Sequence, residues 1–120
     1  MILIALSEAI FEKIKPLLEE LKLKYQKVET GEELLEKAKK IKPDLILLEK
    51  DLPLLDGFAV TLLLKCDNKT QEIPIIAVCK CNFPEEEIKA KDSGVDGLLH
   101  MPLNREEILE NLKKFLKINP

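Results

Sequence analysis

Three short apolar segments place the strongest constraint on how this chain can fold. They cover residues 2–6, 45–48 and 73–78, and none of them alternates apolar with polar side chains. A strand without such alternation must be covered on both faces, as happens in a parallel sheet. Between these segments apolar residues recur at helical spacing, so the pattern predicts strands that alternate with helices.

Two weaker segments, residues 24–29 and 95–100, complete a set of five predicted strands. Five strand and helix pairs with short connections predict right-handed crossovers and helices on both faces of the sheet. A length of 120 residues with 46% hydrophobic content is enough for one compact core. We therefore expect a single α/β domain over residues 1–120.

Local signals mark the predicted helix boundaries. Ser7 precedes the first helix and is expected to cap it, while Pro16 inside that helix predicts a kink. Thr30 opens a capping box before the second helix. The fourth helix has only Ile88 and Ala90 to bury, so we expect it to be the most loosely held helix.

Charge and composition exclude several function classes. The chain has a net charge of −3, and its 19 basic and 22 acidic residues are interspersed along the sequence. It therefore has no basic block of the kind that would indicate nucleic-acid binding. The first residues lack the positive region of a signal peptide and are too few to span a membrane. We expect a cytoplasmic protein. Its three cysteines, Cys66, Cys79 and Cys81, favour reduced thiols over a disulfide framework.

The segment from Pro43 to Phe58 is the predicted functional centre. Its apolar strand ends at Glu49 and is followed by a loop with Asp56 and Gly57. In open α/β sheets, ligands and chemistry lie beyond the carboxyl ends of the strands. Glu49 and Cys79, which ends the next apolar strand, are therefore the first candidate site residues.

This segment, PDLILLEKDLPLLDGF, resembles the phosphoacceptor segment of response-regulator receiver domains. Residues 73–78 (IPIIAV) and 93–102 (SGVDGLLHMP) continue the resemblance, which spans the chain. It implies a flavodoxin-like, doubly wound five-stranded parallel sheet of order 2-1-3-4-5 with five helices. It also implies a role in two-component signalling.

The functional positions of that family are all substituted in this chain. The resemblance matches the phosphoacceptor aspartate to Glu49, the acidic pair that holds magnesium to Leu6 and Ser7, the switch hydroxyl to Cys79, the switch aromatic to Leu98 and the family lysine to Met101. Magnesium needs oxygen ligands, and phosphoryl transfer depends on that cation. We therefore expect no cofactor, no phosphoryl transfer and no enzymatic activity.

The interpretation that follows is a degenerate, stand-alone receiver that acts as a phosphorylation-independent adaptor for a protein partner. The resemblance implies docking on the face formed by the fourth helix, fifth strand and fifth helix. Leu98, His100 and Leu103 are the partner-binding candidates on that face. We expect neither nucleic acid nor a membrane as the partner.

Alternatives remain open at this point. Glu49 is either a permanent substitute for phosphoaspartate or a residual polar group, and Leu6, Cys79 and Met101 are expected to surround it with apolar walls. Cys79, Cys81 and Met101 could instead form a soft-metal site or a thiol redox sensor. Residual phosphorylation of Asp51 or Asp56 is a weaker option, because both lie in the loop.

Overall fold

The computed structural model describes residues 1–52, 55–80 and 84–117. One parallel sheet lies at its centre, with the strand order β2-β1-β3-β4-β5. Its strands are β1 (Ile2–Ala5), β2 (Tyr25–Lys27), β3 (Leu45–Glu49), β4 (Ile75–Cys79) and β5 (Gly97–His100). The predicted flavodoxin-like topology is confirmed, and the two weakest predicted strands, β2 and β5, lie at the sheet edges.

Helices cover both faces of the sheet, as right-handed crossovers require. They are α1 (Glu8–Glu20), α2 (Gly31–Ile41), α3 (Gly57–Cys66), α4 (Pro84–Asp92) and α5 (Arg105–Leu116). The first core cluster joins the sheet to α1 and α5, and the second joins its other face to α2 and α3. The central strands β1, β3 and β4 are buried along their whole length.

The strand register brings the functional positions to one edge of the sheet. Ala5 pairs with Leu48, so the residues after β1 lie beside the end of β3. Glu49 pairs with Val78, and Cys79 pairs with His100. The carboxyl ends of β1, β3, β4 and β5 therefore meet where the sequence predicts the site.

Side-chain caps fix the starts of α2 and α5. Thr30 Oγ1 accepts a hydrogen bond from the Glu33 amide at 3.0 Å, and Asn104 Oδ1 accepts one from the Glu106 amide at 2.7 Å. Ser7 is the N-cap of α1, but its side chain makes no capping hydrogen bond. Ser7 therefore occupies the predicted capping position, but the side-chain hydrogen bond expected of a cap is absent.

Two expectations about helix interiors have different outcomes. Pro16 lies within α1, which continues from Glu8 to Glu20 as one helix, in line with the expectation that proline would not divide it into two. In α4, Ala90 is the only buried residue, and Ile88 is 57% exposed rather than buried as predicted. A helix with so little buried surface depends on other contacts to stay in place. Within the described ranges, no helix is long and apolar enough to cross a membrane.

Candidate functional site

A cavity of about 260 Å³ opens at the carboxyl edge of β3 and β4. Its walls combine three carboxylates and two lysines with apolar side chains, namely Glu49, Lys50, Asp51, Phe58, Val78, Cys79, Lys80 and Glu86. The sequence predicted Glu49 and Cys79 here. The walls are nevertheless more charged than the apolar surroundings that the sequence predicts for Glu49, because Lys50, Asp51, Lys80 and Glu86 also line the cavity.

Glu49 is the most buried charged residue of this edge, with only 4% of its surface exposed. Its Oε1 accepts a hydrogen bond from the backbone amide of Ser7, in the loop between β1 and α1. A buried carboxylate needs such a donor, because an unsatisfied polar group is costly away from water. The expectation that Glu49 lies within purely apolar walls is thus wrong, since main-chain N–H groups are invisible in a side-chain pattern.

The Asp56 and Gly57 pair fixes α3 against the end of β3. Asp56 Oδ1 caps α3 by accepting from the Ala59 amide at 2.9 Å, and the Gly57 amide donates to the Lys50 carbonyl at 2.8 Å. A Cβ atom on Gly57 would lie 2.2 Å from the carbonyl oxygen of Glu49. Only glycine permits this close approach, so this part of the motif has a structural role.

The donor set at this edge does not fit a magnesium ion. Leu6 is 7% exposed and belongs to the first core cluster, while Ser7 uses its backbone to bind Glu49. Glu8, the nearest acidic residue to that pair, bonds to Lys27, and this hydrogen bond lowers the pKa of Glu8 below its ordinary value. Among the described residues, no three acidic, histidine or cysteine side chains are grouped to hold a metal ion.

The soft-metal alternative is not supported by the structure either. Cys79 is disulfide-bonded and so has no thiolate to offer a metal, which also corrects the expectation of reduced thiols. Met101 packs against the first core cluster and does not line the cavity. Cys66 is a free, exposed cysteine, and the third cysteine, Cys81, lies outside the described residues.

The three partner-binding candidates do not form one exposed patch. Leu98 is half-buried and packs against the second core cluster, whereas Leu103 is half-buried against the first. His100 is exposed at the end of β5. Leu98 therefore exposes less aliphatic surface than the sequence suggests on the face where docking is expected, and Ile88 on α4 exposes more.

The sequence did not reveal the partners of His100. Its Nδ1 lies 3.2 Å from Glu107 Oε2 on α5, and its Nε2 lies 3.3 Å from Glu87 Oε1 on α4. Hydrogen bonding to Glu107, and then to Glu87, raises the pKa of His100 above 6.5 despite partial burial. We call His100, Glu87 and Glu107 the His100 cluster. Its members come from three elements, so no local spacing signals it.

Comparison with known sequences places these features in a family. Residues 2–113 match the profile of the response regulator receiver domain. The polar-differentiation response regulator DivK of Brucella anthropi is 32% identical over 94 residues, which are 77% of this chain and 76% of DivK. The DNA-binding dual master transcriptional regulator RpaA of Synechocystis is 35% identical over 80 residues, 67% of this chain but only 33% of RpaA.

Solved structures agree with the fold. The receiver domain of a signal transduction histidine kinase from Syntrophus aciditrophicus superposes with a TM-score of 0.88 and 26% identity, covering 97% of this chain and 89% of that one. The receiver domain of Ssk1 from Saccharomyces cerevisiae, crystallised with the histidine phosphotransfer signaling protein Ypd1, gives a TM-score of 0.83 at 22% identity. That match covers 95% of this chain and 86% of Ssk1's receiver.

Proposed function

Because this chain belongs to the response-regulator receiver domain family, we propose that it is a degenerate member that binds a protein partner without being phosphorylated. Its family places it in two-component signalling. One observation carries the proposal. Glu49, at the phosphoacceptor position, is buried and already bound by the Ser7 amide, and Leu6 and Met101 offer neither oxygen ligand nor charge.

The chemistry of phosphoryl transfer supports the same conclusion. The reaction depends on positioning and on charge stabilisation by a cation, and the protein contributes little covalent chemistry. Leu6 and Ser7 supply no carboxylate where the family resemblance expects a metal-binding pair. A receiver with these residues is neither a substrate nor a catalyst for phosphoryl transfer, so its remaining activity is recognition of another protein.

Incubation with acetyl phosphate and magnesium is expected to leave the mass of the protein unchanged. Glu49→Asp should also remain unlabelled, because the substitution restores only the nucleophile and not the cation that screens it. Intact-protein mass spectrometry measures both outcomes. A phosphoryl adduct on either form would contradict the proposal that the protein is not phosphorylated. Peptide mapping of the adduct would then show whether residue 49, Asp51 or Asp56 carries the phosphoryl group.

The partner is expected to be a protein of two-component signalling, as Ypd1 is for the receiver domain of Ssk1. We propose that it contacts α4, where Ile88 is 57% exposed, together with His100 at the end of β5. Burial of this exposed apolar side chain against a partner would be favourable, because it removes apolar surface from water.

Immobilised wild-type protein should therefore capture the same partner from native lysate with or without acetyl phosphate. Ile88→Glu should reduce that capture at least about tenfold, the effect of losing one well-packed contact. Leu62→Glu is the matched control, since Leu62 is similarly exposed (49%) but lies on α3 rather than on α4. Capture that requires acetyl phosphate, or that is lost equally in both variants, would contradict the proposal.

The disulfide at Cys79 favours a second candidate, a thiol redox sensor. Cys79 is 4% exposed and lines the cavity beside Glu49, so reduction would change a wall of the candidate site. Running the capture experiment with and without a thiol reductant distinguishes the two functions. Capture that is independent of reductant supports the adaptor, and capture that is gained or lost on reduction supports the sensor.

A further inference from the structure

His100 joins three elements of the fold through one side chain. Besides the two ring contacts of the His100 cluster, its backbone amide donates to Glu107 Oε1 at 2.8 Å. Two contacts therefore join Glu107 to β5, one from the backbone amide of His100 and one from its ring. Among the described residues, Glu87 contacts β5 through the imidazole ring. The imidazole ring thus provides a direct link between β5 and α4.

The protonation state of the ring decides whether both ring contacts can be hydrogen bonds. A neutral imidazole carries one N–H, so its second nitrogen would present a lone pair to a carboxylate oxygen. Only the imidazolium can donate to Glu107 and Glu87 together. The two carboxylates contact different nitrogens on opposite sides of the ring. The three side chains therefore do not converge on one point, as ligands of a single metal ion would.

The other charged groups near the ring do not replace this contact. On α4, Lys91 Nζ lies 3.6 Å from Glu87 Oε1, so it pairs with the same carboxylate within the helix and adds no link to β5. On α5 the facing group is Glu107. On β4 the register partner of His100 is Cys79, which is disulfide-bonded and uncharged.

Helix α4 buries little of its own surface against the rest of the fold. Ala90 is its only buried residue, and Ser93 Oγ, just after the helix, donates to the Ala90 carbonyl at 2.6 Å. Ile88 and both lysines of the last turn are exposed. The contact between Glu87 and His100 is therefore one of the attachments that hold the exposed helix α4 against β5.

We propose that the His100 cluster is a proton-controlled latch that holds α4 against β5 when His100 is protonated and releases it when His100 is neutral. This inference concerns the fold's own response to pH and does not depend on the proposed adaptor function. If α4 also contacts the partner, as proposed above, partner binding becomes sensitive to pH in the same range.

The sign of the effect follows from the direction of the shift. Because the folded pKa of His100 is raised above 6.5, the stabilisation from this cluster is fully present below about 6.5. It is lost as the pH rises through the higher, folded-state value. The attachment of α4 should therefore weaken towards alkaline pH, while the helices outside the cluster remain unchanged.

Two measurements on the intact chain test the latch. His100 is the only histidine, so its ring signals in an NMR titration are unambiguous. The wild-type midpoint should lie above 6.5 and should fall in Glu87→Gln and in Glu107→Gln. Hydrogen-exchange protection of α4, corrected for intrinsic rates, should fall about three- to tenfold between about pH 5.5 and about pH 8.5, while α2 changes less than about twofold.

The variants make the outcome decisive. In His100→Gln, α4 protection should already be low at acid pH and should no longer depend on pH. Glu36→Gln is the matched control, because Glu36 is an exposed helical carboxylate paired with Lys40 on α2. It should leave the His100 midpoint and α4 protection unchanged. A wild-type midpoint at or below 6.5, or α4 protection that is equal at both pH values, would overturn the proposal.

Discussion

Replacing Gly57 with alanine is expected to lower the free energy of unfolding by about 2–3 kcal/mol. The new Cβ atom would lie 2.2 Å from the Glu49 carbonyl oxygen and 2.9 Å from its carbonyl carbon. Both are backbone atoms of a central strand and cannot rotate away. Helix α3 must then move off the end of β3, which weakens the bond from the Gly57 amide to the Lys50 carbonyl.

An opposing effect makes this prediction specific. Alanine is favoured over glycine within a helix by about 1 kcal/mol, so a helix that could accommodate the methyl group would become more stable. Gly97→Ala on β5 is the matched control, since its Cβ would meet the side chains of Asn111 and Phe115 at 2.8 and 2.9 Å. Those side chains can shift, so we expect a smaller loss. Urea unfolding measures both, and a stabilised Gly57→Ala would refute the fixed contact.

Glu49→Ala is expected to cost about 2–3 kcal/mol, whereas Glu49→Gln should stay within about 1 kcal/mol of wild type. Alanine removes the acceptor of the Ser7 amide and leaves a space among buried side chains. Glutamine has a side chain of the same length, and its amide oxygen can still accept the hydrogen bond from the Ser7 amide. The Glu49→Gln substitution replaces the charge-assisted hydrogen bond from the Ser7 amide with a weaker, neutral one. It also removes the free-energy cost of burying a charged carboxylate, so the two effects largely offset each other.

Unfolding of the two variants in urea at neutral pH separates the two interpretations of Glu49. A glutamine variant as unstable as the alanine variant would show that the carboxylate charge itself is required. The lysines of the cavity wall, Lys50 and Lys80, would then be the candidate counter-charges. That result would favour the hypothesis that Glu49 permanently substitutes for phosphoaspartate.

The sheet could be predicted because short segments of the sequence are enough to show where its strands lie. Uninterrupted apolar segments show which strands are covered on both faces, and the charged segment around Lys27 shows which strand lies at an edge. The capping residues Thr30 and Asn104 likewise act within three residues of themselves. Ile88 was misassigned because α4 is short and mostly charged, so its apolar spacing says little about which face is buried.

The site could be predicted only in part, because its contacts join distant residues. Periodicity placed Glu49 and Cys79 at the correct sheet edge. It could not show that the Ser7 amide, 42 residues away in sequence, binds Glu49. Nor could it bring His100 on β5 to Glu87, 13 residues earlier on helix α4. Such pairs follow from topology and side-chain direction, which strand patterns do not contain.

The position of β1 has a consequence for the order of folding. Although β1 is the first strand along the chain, it lies between β2 and β3, and Ile2 pairs with both Tyr25 and Leu45. During synthesis, this wholly apolar strand cannot pair with both β2 and β3 until Leu48, the partner of Ala5, has left the ribosome. Closing such long-range parallel pairs slows folding, and an incomplete chain exposes an aggregation-prone strand. A ribosome pausing before β3 would therefore hold the nascent chain in its most vulnerable state.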